Sequence, residues 1–221
     1  MSEQIDVTPR TRVKRAHNRG VYGRDELYRV IDATILCHVG YVIDDAPYVT
    51  PTFHWREGGR VFWHGSSASR MLRTLEQDEV EACLTVTLFD GVVFARSSFN
   101  HSANYRSAMI FGTPEPIADA DEKFRVLGVF MDRLAPGRWE DCRRPNAQEL
   151  KATTVLSMPI DEASAKIRSG PPEDDEPDYQ LPHWAGVLPI TTVIGEPVPD
   201  PALAPGIATP DYVRDFDLKK G

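Results

Sequence analysis

The sequence predicts a mainly β protein, an antiparallel barrel with helices at its margins. Three observations lead there. Short β-branched and aromatic runs alternate apolar and polar residues with period two, glycine-containing dipeptides sit between successive runs, and the strand–helix alternation of a parallel α/β sheet is missing. Neither a G-x-G-x-x-G turn nor a P-loop occurs, which argues against the common nucleotide-binding α/β folds.

Residues 1–22 form an arm in which Arg10, Arg12, Lys14, Arg15 and Arg19 cluster with no acid between them. The main domain is expected over 23–190. Leu27, Val30 and Ile31 recur at helical spacing behind Asp25 and Glu26, so 23–33 is a helix with acids at its positive end. A β-rich run, 34–43, turns at Asp44-Asp45 into a strand over 48–55. There Val49, Pro51, Phe53 and Trp55 take one face and Tyr48, Thr50, Thr52 and His54 the other. Pro51 has no N–H for a ladder, which puts the strand at an edge or a bulge. Gly58-Gly59 is hairpin chemistry, and 60–64 returns with Phe62 and His64 on one side. Met71, Leu72 and Leu75 then mark a helix for which Ser66 or Ser67 is the natural N-cap.

Asp90-Gly91, between β-branched runs at 79–89 and 91–97, reads as a second hairpin, and a further strand, 105–117, ends in prolines. Phe124, Leu127, Gly128 and Met131 share one side of a helix over 120–134. A brief helix at 147–151 precedes the last long strand, 153–160. Prolines from Pro197 to Pro210 make 191–221 an extended tail that could lie on a second protomer.

At 221 residues, 41% hydrophobic and 26% charged, the composition is that of a soluble globular chain with one substantial core. No apolar run is long enough to cross a bilayer and the first residues lack the apolar centre of a signal peptide, so a cytoplasmic protein without membrane contact is expected. Cys37, Cys83 and Cys142 are too few and too widely spaced for a disulfide framework or zinc site, and are expected to be buried thiols. The histidines show no paired-ligand spacing, so no metal is expected. A net charge of −8 argues against nucleic acid as a partner. The basic arm is the local exception; it could bind nucleic acid or phospholipid, wrap a second subunit, or reach a phosphate.

Function is written most densely in 47–73. Gly65, Ser66, Ser67, Ser69 and Arg70 bring hydroxyls and a cation to a helix start, where unpartnered N–H groups and the dipole attract an anion. An ordinary capped surface helix has the same residues, and pattern alone leaves both readings open.

The order P-x-V-x-P strand, Gly-Gly hairpin, V-F-W-H-G, serine-rich turn and S-R-x-L resembles the FMN-binding split-barrel family of pyridoxamine 5′-phosphate oxidase, in its nitroimidazole-reductase-like branch of flavin-nucleotide-binding proteins. Two further segments resemble it: the strand from Asn104 to Gly112 and the W-x-G-x-x-P run at Trp184. The resemblance implies an antiparallel split β-barrel, FMN at a homodimer interface, and a flavin-dependent oxidoreductase for a small organic molecule, with NAD(P)H as a candidate reductant. It places Thr50, Pro51, Thr52 and Phe53 along the flavin ring, His64 and Gly65 at its edge, and Ser66, Ser67, Ser69 and Arg70 at the phosphate. Tyr105 and Ser107 would reach the flavin from a second strand, and Trp184 would close over the ring from the partner subunit; as plain residues, Tyr105 and Trp184 fit a core equally well. His64 is the candidate catalytic residue, donating a proton as the flavin is reduced, or else a purely structural hydrogen-bonding group. The R-x-H-type C-terminal pattern that holds the vitamin's phosphate has no counterpart at His183-Trp184, which disfavours vitamin B6 oxidation. A non-catalytic flavin carrier or sensor is the rival reading, and a deazaflavin or haem in the barrel a further one.

Overall fold

The computed structural model describes residues 3–77 and 80–217. Position 79, expected to open a strand, lies outside them. Ten strands are seen among the described residues: β1 (Gly20–Val21), β2 (Leu36–Ile43), β3 (Ala46–Glu57), β4 (Arg60–Ser66), β5 (Ala82–Phe94), β6 (Ser102–Gly112), β7 (Glu115–Pro116), β8 (Thr153–Pro159), β9 (Glu162–Arg168) and β10 (Gly186–Pro189). Five α-helices accompany them: α1 (Arg24–Asp32), α2 (Arg70–Gln77), α3 (Ala120–Leu134), α4 (Ala147–Lys151) and α5 (Asp211–Arg214). The registered strand pairs are antiparallel, so the expected class, a mainly β antiparallel split barrel with peripheral helices, is the observed one. No helix is long and apolar enough to cross a membrane among the described residues.

The chain divides into two compact units. The first comprises Met1–Ile31, Leu84–Phe111 and Asp161–Thr192. Its strands run in the order β1-β9-β6-β5, with β10 also on β5. The arm lies on this unit through Glu162, which accepts from the Thr8 hydroxyl at 2.6 Å and pairs with Arg10, itself stacked over the Phe111 ring. Arg168 is 4% exposed and donates to Asn104 and to the carbonyls of Gly170 and Pro171, fixing the chain where it leaves β9.

The second unit comprises Asp32–Cys83, Gly112–Ile160 and Val193–Gly221, with strand order β2-β3-β4-β8-β7. Trp55, Phe62, Val126, Phe130 and Val155 form a buried cluster between its strands and α3. α3 starts on Asp119, whose side chain accepts from Glu122 N, and α4 on a capping box of Asn146 and Glu149. Pro51 behaves as its chemistry requires: residues 46–53 pair with β2, and only 54–57 pair with β4 among the described residues.

Several expectations are corrected. Asp90-Gly91 is no hairpin, because β5 runs straight through it. Gly91 is there for close approach: a Cβ would lie 2.9 Å from the Leu188 carbonyl oxygen of β10, while Asp90 pairs with Arg106. The 105–117 run divides into β6 and β7 in different units. Along the face of Val49, Phe53 and Trp55 the burial changes: Val49 and Phe53 are exposed and Trp55 is 1% exposed, because β3 pairs with β4 from residue 54 and Phe62 and Phe130 pack on the indole. Cys37 is the buried thiol expected, whereas Cys83 and Cys142 are half-buried.

Candidate functional site

The site in the second unit is built on β4, whose every residue from Arg60 to Ser66 is in register with β8. Alternation turns Phe62 and His64 to the same side, toward α3. Trp55 stacks on Phe62 with centroids 5.5 Å apart, and Phe130 of α3 meets Trp55 at 5.0 Å and His64 at 4.7 Å. Phe53 is tilted against Phe130 at 6.1 Å. His64 is thereby the polar member of an aromatic cluster. Its Nδ1 is buried without a hydrogen-bond partner, and burial pushes the imidazole below its ordinary pKa, which favours the neutral ring. With Nδ1 enclosed, Nε2 is the nitrogen the ring can present to a ligand.

What His64 faces is a cavity of about 380 Å³. Leu127, Phe130 and Met131 of α3 form one wall; Trp139, Cys142, Arg143 and Pro145, from the segment joining α3 to α4, form another, with Glu149 and Thr153 completing it. The joining segment is strongly held. Trp139 packs edge-on against Phe124 at 5.1 Å, and Arg144 lies over the Trp139 ring at 4.2 Å while donating to its carbonyl. Arg138 donates to the Tyr212 hydroxyl of α5 at 3.0 Å, and that hydroxyl donates to Asp141.

The predicted anion cradle is only partly there. Helix α2 begins at Arg70, so Ser69, whose carbonyl accepts from Arg73 N at 3.0 Å, takes the capping position expected of Ser66 or Ser67. Ser66 Oγ accepts from Ala68 N, Ser66 O from Ser69 N, and Ser67 N donates to Ala152 O, so these amides are already engaged. Gly65 serves helix packing: a Cβ there would meet Leu72 Cδ1 at 3.0 Å. Arg70 is exposed and lies over the Tyr48 ring at 4.3 Å. Tyr48 stacks on Tyr41, whose hydroxyl bonds Thr50 Oγ1 at 3.1 Å. The structure therefore joins Arg70 to the Tyr48–Thr50–Thr52 side of β3, and His64 and Phe53 to the α3 side. Pro51, Val49 and Phe53 are exposed on one face with Leu36, His38 and Val42 of β2, a mainly apolar ladder surface.

Tyr105, Ser107 and Trp184 belong to the first unit. Tyr105 and Ser107 are half-exposed on one side of β6, so Tyr105 is not a core residue, and the Ser107 hydroxyl donates to the Lys166 carbonyl at 3.3 Å. Trp184 is 72% exposed, folded over Gly186 and tilted against Phe94 at 6.0 Å, which rules out a core role in the chain itself.

The sequence profile of the family described as pyridoxamine 5′-phosphate oxidase matches residues 23–167. The chain belongs to this family. The flavocytochrome Anf3 of Azotobacter vinelandii is 47% identical, with 95% of this chain and 97% of that one covered and a TM-score of 0.91. An FAD- and haem-binding protein of Mycobacterium smegmatis is 39% identical over 89% of this chain and 96% of that one, TM-score 0.85. A 5-nitroimidazole antibiotic resistance protein of Bacteroides thetaiotaomicron, 21% identical over 67% of this chain and 86% of its own, TM-score 0.53, shares the fold. A search of curated proteins finds no match.

Sequence reasoning found His64 but not its surroundings. Phe130, Trp139, Arg143 and Glu149 are scattered over a helix, a loop and a second helix, and no spacing links them to His64. A tryptophan among charges in the Pro136–Pro145 segment was the one available signal.

Proposed function

We propose that this family member is a two-cofactor redox protein, with haem in the cavity at His64 and a flavin on the β3 face. The observation that carries the reading is His64: a buried imidazole with Nδ1 enclosed, lining an aromatic-walled cavity that also holds a cation and a carboxylate, Arg143 and Glu149. Those are the ligand type and the surroundings that haem iron requires, and two well-covered relatives are named for haem or cytochrome content. His64 would hold the iron, and Phe130, Leu127 and Met131 would pack the macrocycle and keep water from it. This assigns His64 to a different role from the proton donor expected from sequence.

For the flavin, Thr50, Thr52 and Tyr48 offer hydroxyls along one side of β3 and Arg70 a cation at its end. The M. smegmatis relative favours FAD over the FMN expected from the resemblance. When bound, the cofactors supply hydride and single-electron transfer, which makes an oxidoreductase of a small molecule, reduced by NAD(P)H or a protein donor, the fitting class. The exposed ladder of Leu36, Val42, Val49 and Phe53 supports a homodimer, since an apolar sheet face of this kind is a marker of a protein interface.

Purified protein reconstituted with both cofactors tests the reading. We expect a Soret band that His64→Ala abolishes while flavin absorption persists, and released flavin with the mass of FAD. A protein that takes up no haem would refute the haem assignment; released FMN would restore the sequence expectation. Val49→Asp should convert a dimer to a monomer by light scattering.

A further inference from the structure

The cavity wall holds one ion pair, Arg143 with Glu149, and the two partners are not equivalent. Glu149 is committed to its helix: it is the third residue of the α4 capping box and accepts from Asn146 N at 2.8 Å. Arg143 reaches it with both terminal nitrogens, at 3.0 and 2.6 Å, a two-pronged geometry that any carboxylate can supply, and one of these nitrogens also donates to the Arg144 carbonyl at 3.0 Å. Its side chain is 70% exposed, so it can turn away without burying a charge. The other nearby cations are occupied: Arg144 by the Trp139 ring and carbonyl, Arg138 by Tyr212, and Lys123 by the Thr153 carbonyl at 3.1 Å. Arg143 is thus the cavity cation held by a side-chain carboxylate on the wall, a partner that another carboxylate can replace while the bond to the Arg144 carbonyl is kept.

We propose that Arg143 is the specificity residue of the cavity, exchanging Glu149 for a carboxylate of the bound planar cofactor and so selecting an acid-bearing macrocycle. The inference rests on the haem reading above. Glu149 acts as the place-holder. It stays ionised throughout the working pH range, because Arg143 and the Asn146 backbone hold it down at about pKa 2, and it keeps the guanidinium at the wall until a carboxylate replaces it.

The haem-free protein is titrated with haem and with its dimethyl ester, which keeps the iron and the ring but lacks the acids. The wild type should prefer haem by about tenfold or more, the scale of one charge-assisted bond. Arg143→Gln should bind the two alike, Arg143→Lys should recover part of the preference, and Glu149→Gln should keep or increase it by removing the competitor. Matching near-ultraviolet circular dichroism among the variants shows that folding is intact. If Glu149→Gln loses the preference as Arg143→Gln does, the pair is merely structural and the proposal fails. Equal binding of both porphyrins by the wild type overturns Arg143 while leaving haem in the cavity; binding of neither overturns both readings.

Discussion

Trp139 lies so close to Gly128 that no side chain fits between them: a Cβ on Gly128 would stand 2.9 Å from the indole Nε1 and 3.0 Å from Cε2. A glycine inside a helix costs about 1 kcal/mol relative to alanine, so its place in α3 is explained by the ring it admits. The same ring is a wall of the His64 cavity.

Gly128→Ala should therefore cost about 1 to 3 kcal/mol of overpacking, offset in part by better helix propensity. Trp139 must shift, so haem affinity and tryptophan fluorescence should both change. A variant more stable than wild type in chemical denaturation, with unaltered haem affinity, would show that the contact does not shape the wall.

His64 should make the haem-free protein sensitive to acid. Its folded-state pKa lies below the ordinary value of about 6.5, so the unfolded chain binds the proton more readily. Stability is then full above that value and declines as pH falls below it toward the depressed folded pKa. His64→Leu removes this component. Melting temperatures from pH 8 to 5 should fall more for wild type than for the variant, and parallel curves would be evidence against a buried neutral ring.

Much of this fold could be read from local chemistry. The helices of α1 and α3, the Gly58-Gly59 hairpin and the edge position of Pro51 follow from periodicity, positive-φ demand and a missing N–H, all properties of neighbouring residues. Asp90-Gly91 misled because the same dipeptide that makes a turn also permits close strand approach, and β10, nearly a hundred residues later, decides between them. The Ser66 cap slipped because Ser66 engages its own turn and Ser67 is drawn to Ala152. His64 stood out by its place after V-F-W; its partners were hidden because Phe130 and Arg143 meet it only through packing.

Arg168 offers a test in the first unit. It is buried, its guanidinium satisfies Asn104 and two loop carbonyls, and Gly170 beside it has φ of +106°. Arg168→Leu strands Asn104 Oδ1 and the Pro171 carbonyl, while the Gly170 carbonyl keeps its bond from Asn104 Nδ2, and should cost roughly 1 to 3 kcal/mol. Arg168→Lys, a point charge without the planar fork, should recover only part of it. A thermal melt of Arg168→Leu matching wild type would mean that the loop is held by other contacts.

The three thiols should separate by alkylation of the native protein. Cys37 is fully buried and pushed up to about 12, so it has neither access nor thiolate at neutral pH. Cys142 lines the cavity and donates to the Trp139 carbonyl at 3.8 Å, while Cys83, also half-buried, is not part of that wall. Iodoacetamide followed by peptide mass mapping should leave Cys37 unmodified until denaturant is added. Haem should slow modification of Cys142 and leave the rate at Cys83 unchanged, because only the first shares space with the ligand. Equal protection of both thiols would point to global tightening, and no protection of Cys142 would place the bound haem elsewhere.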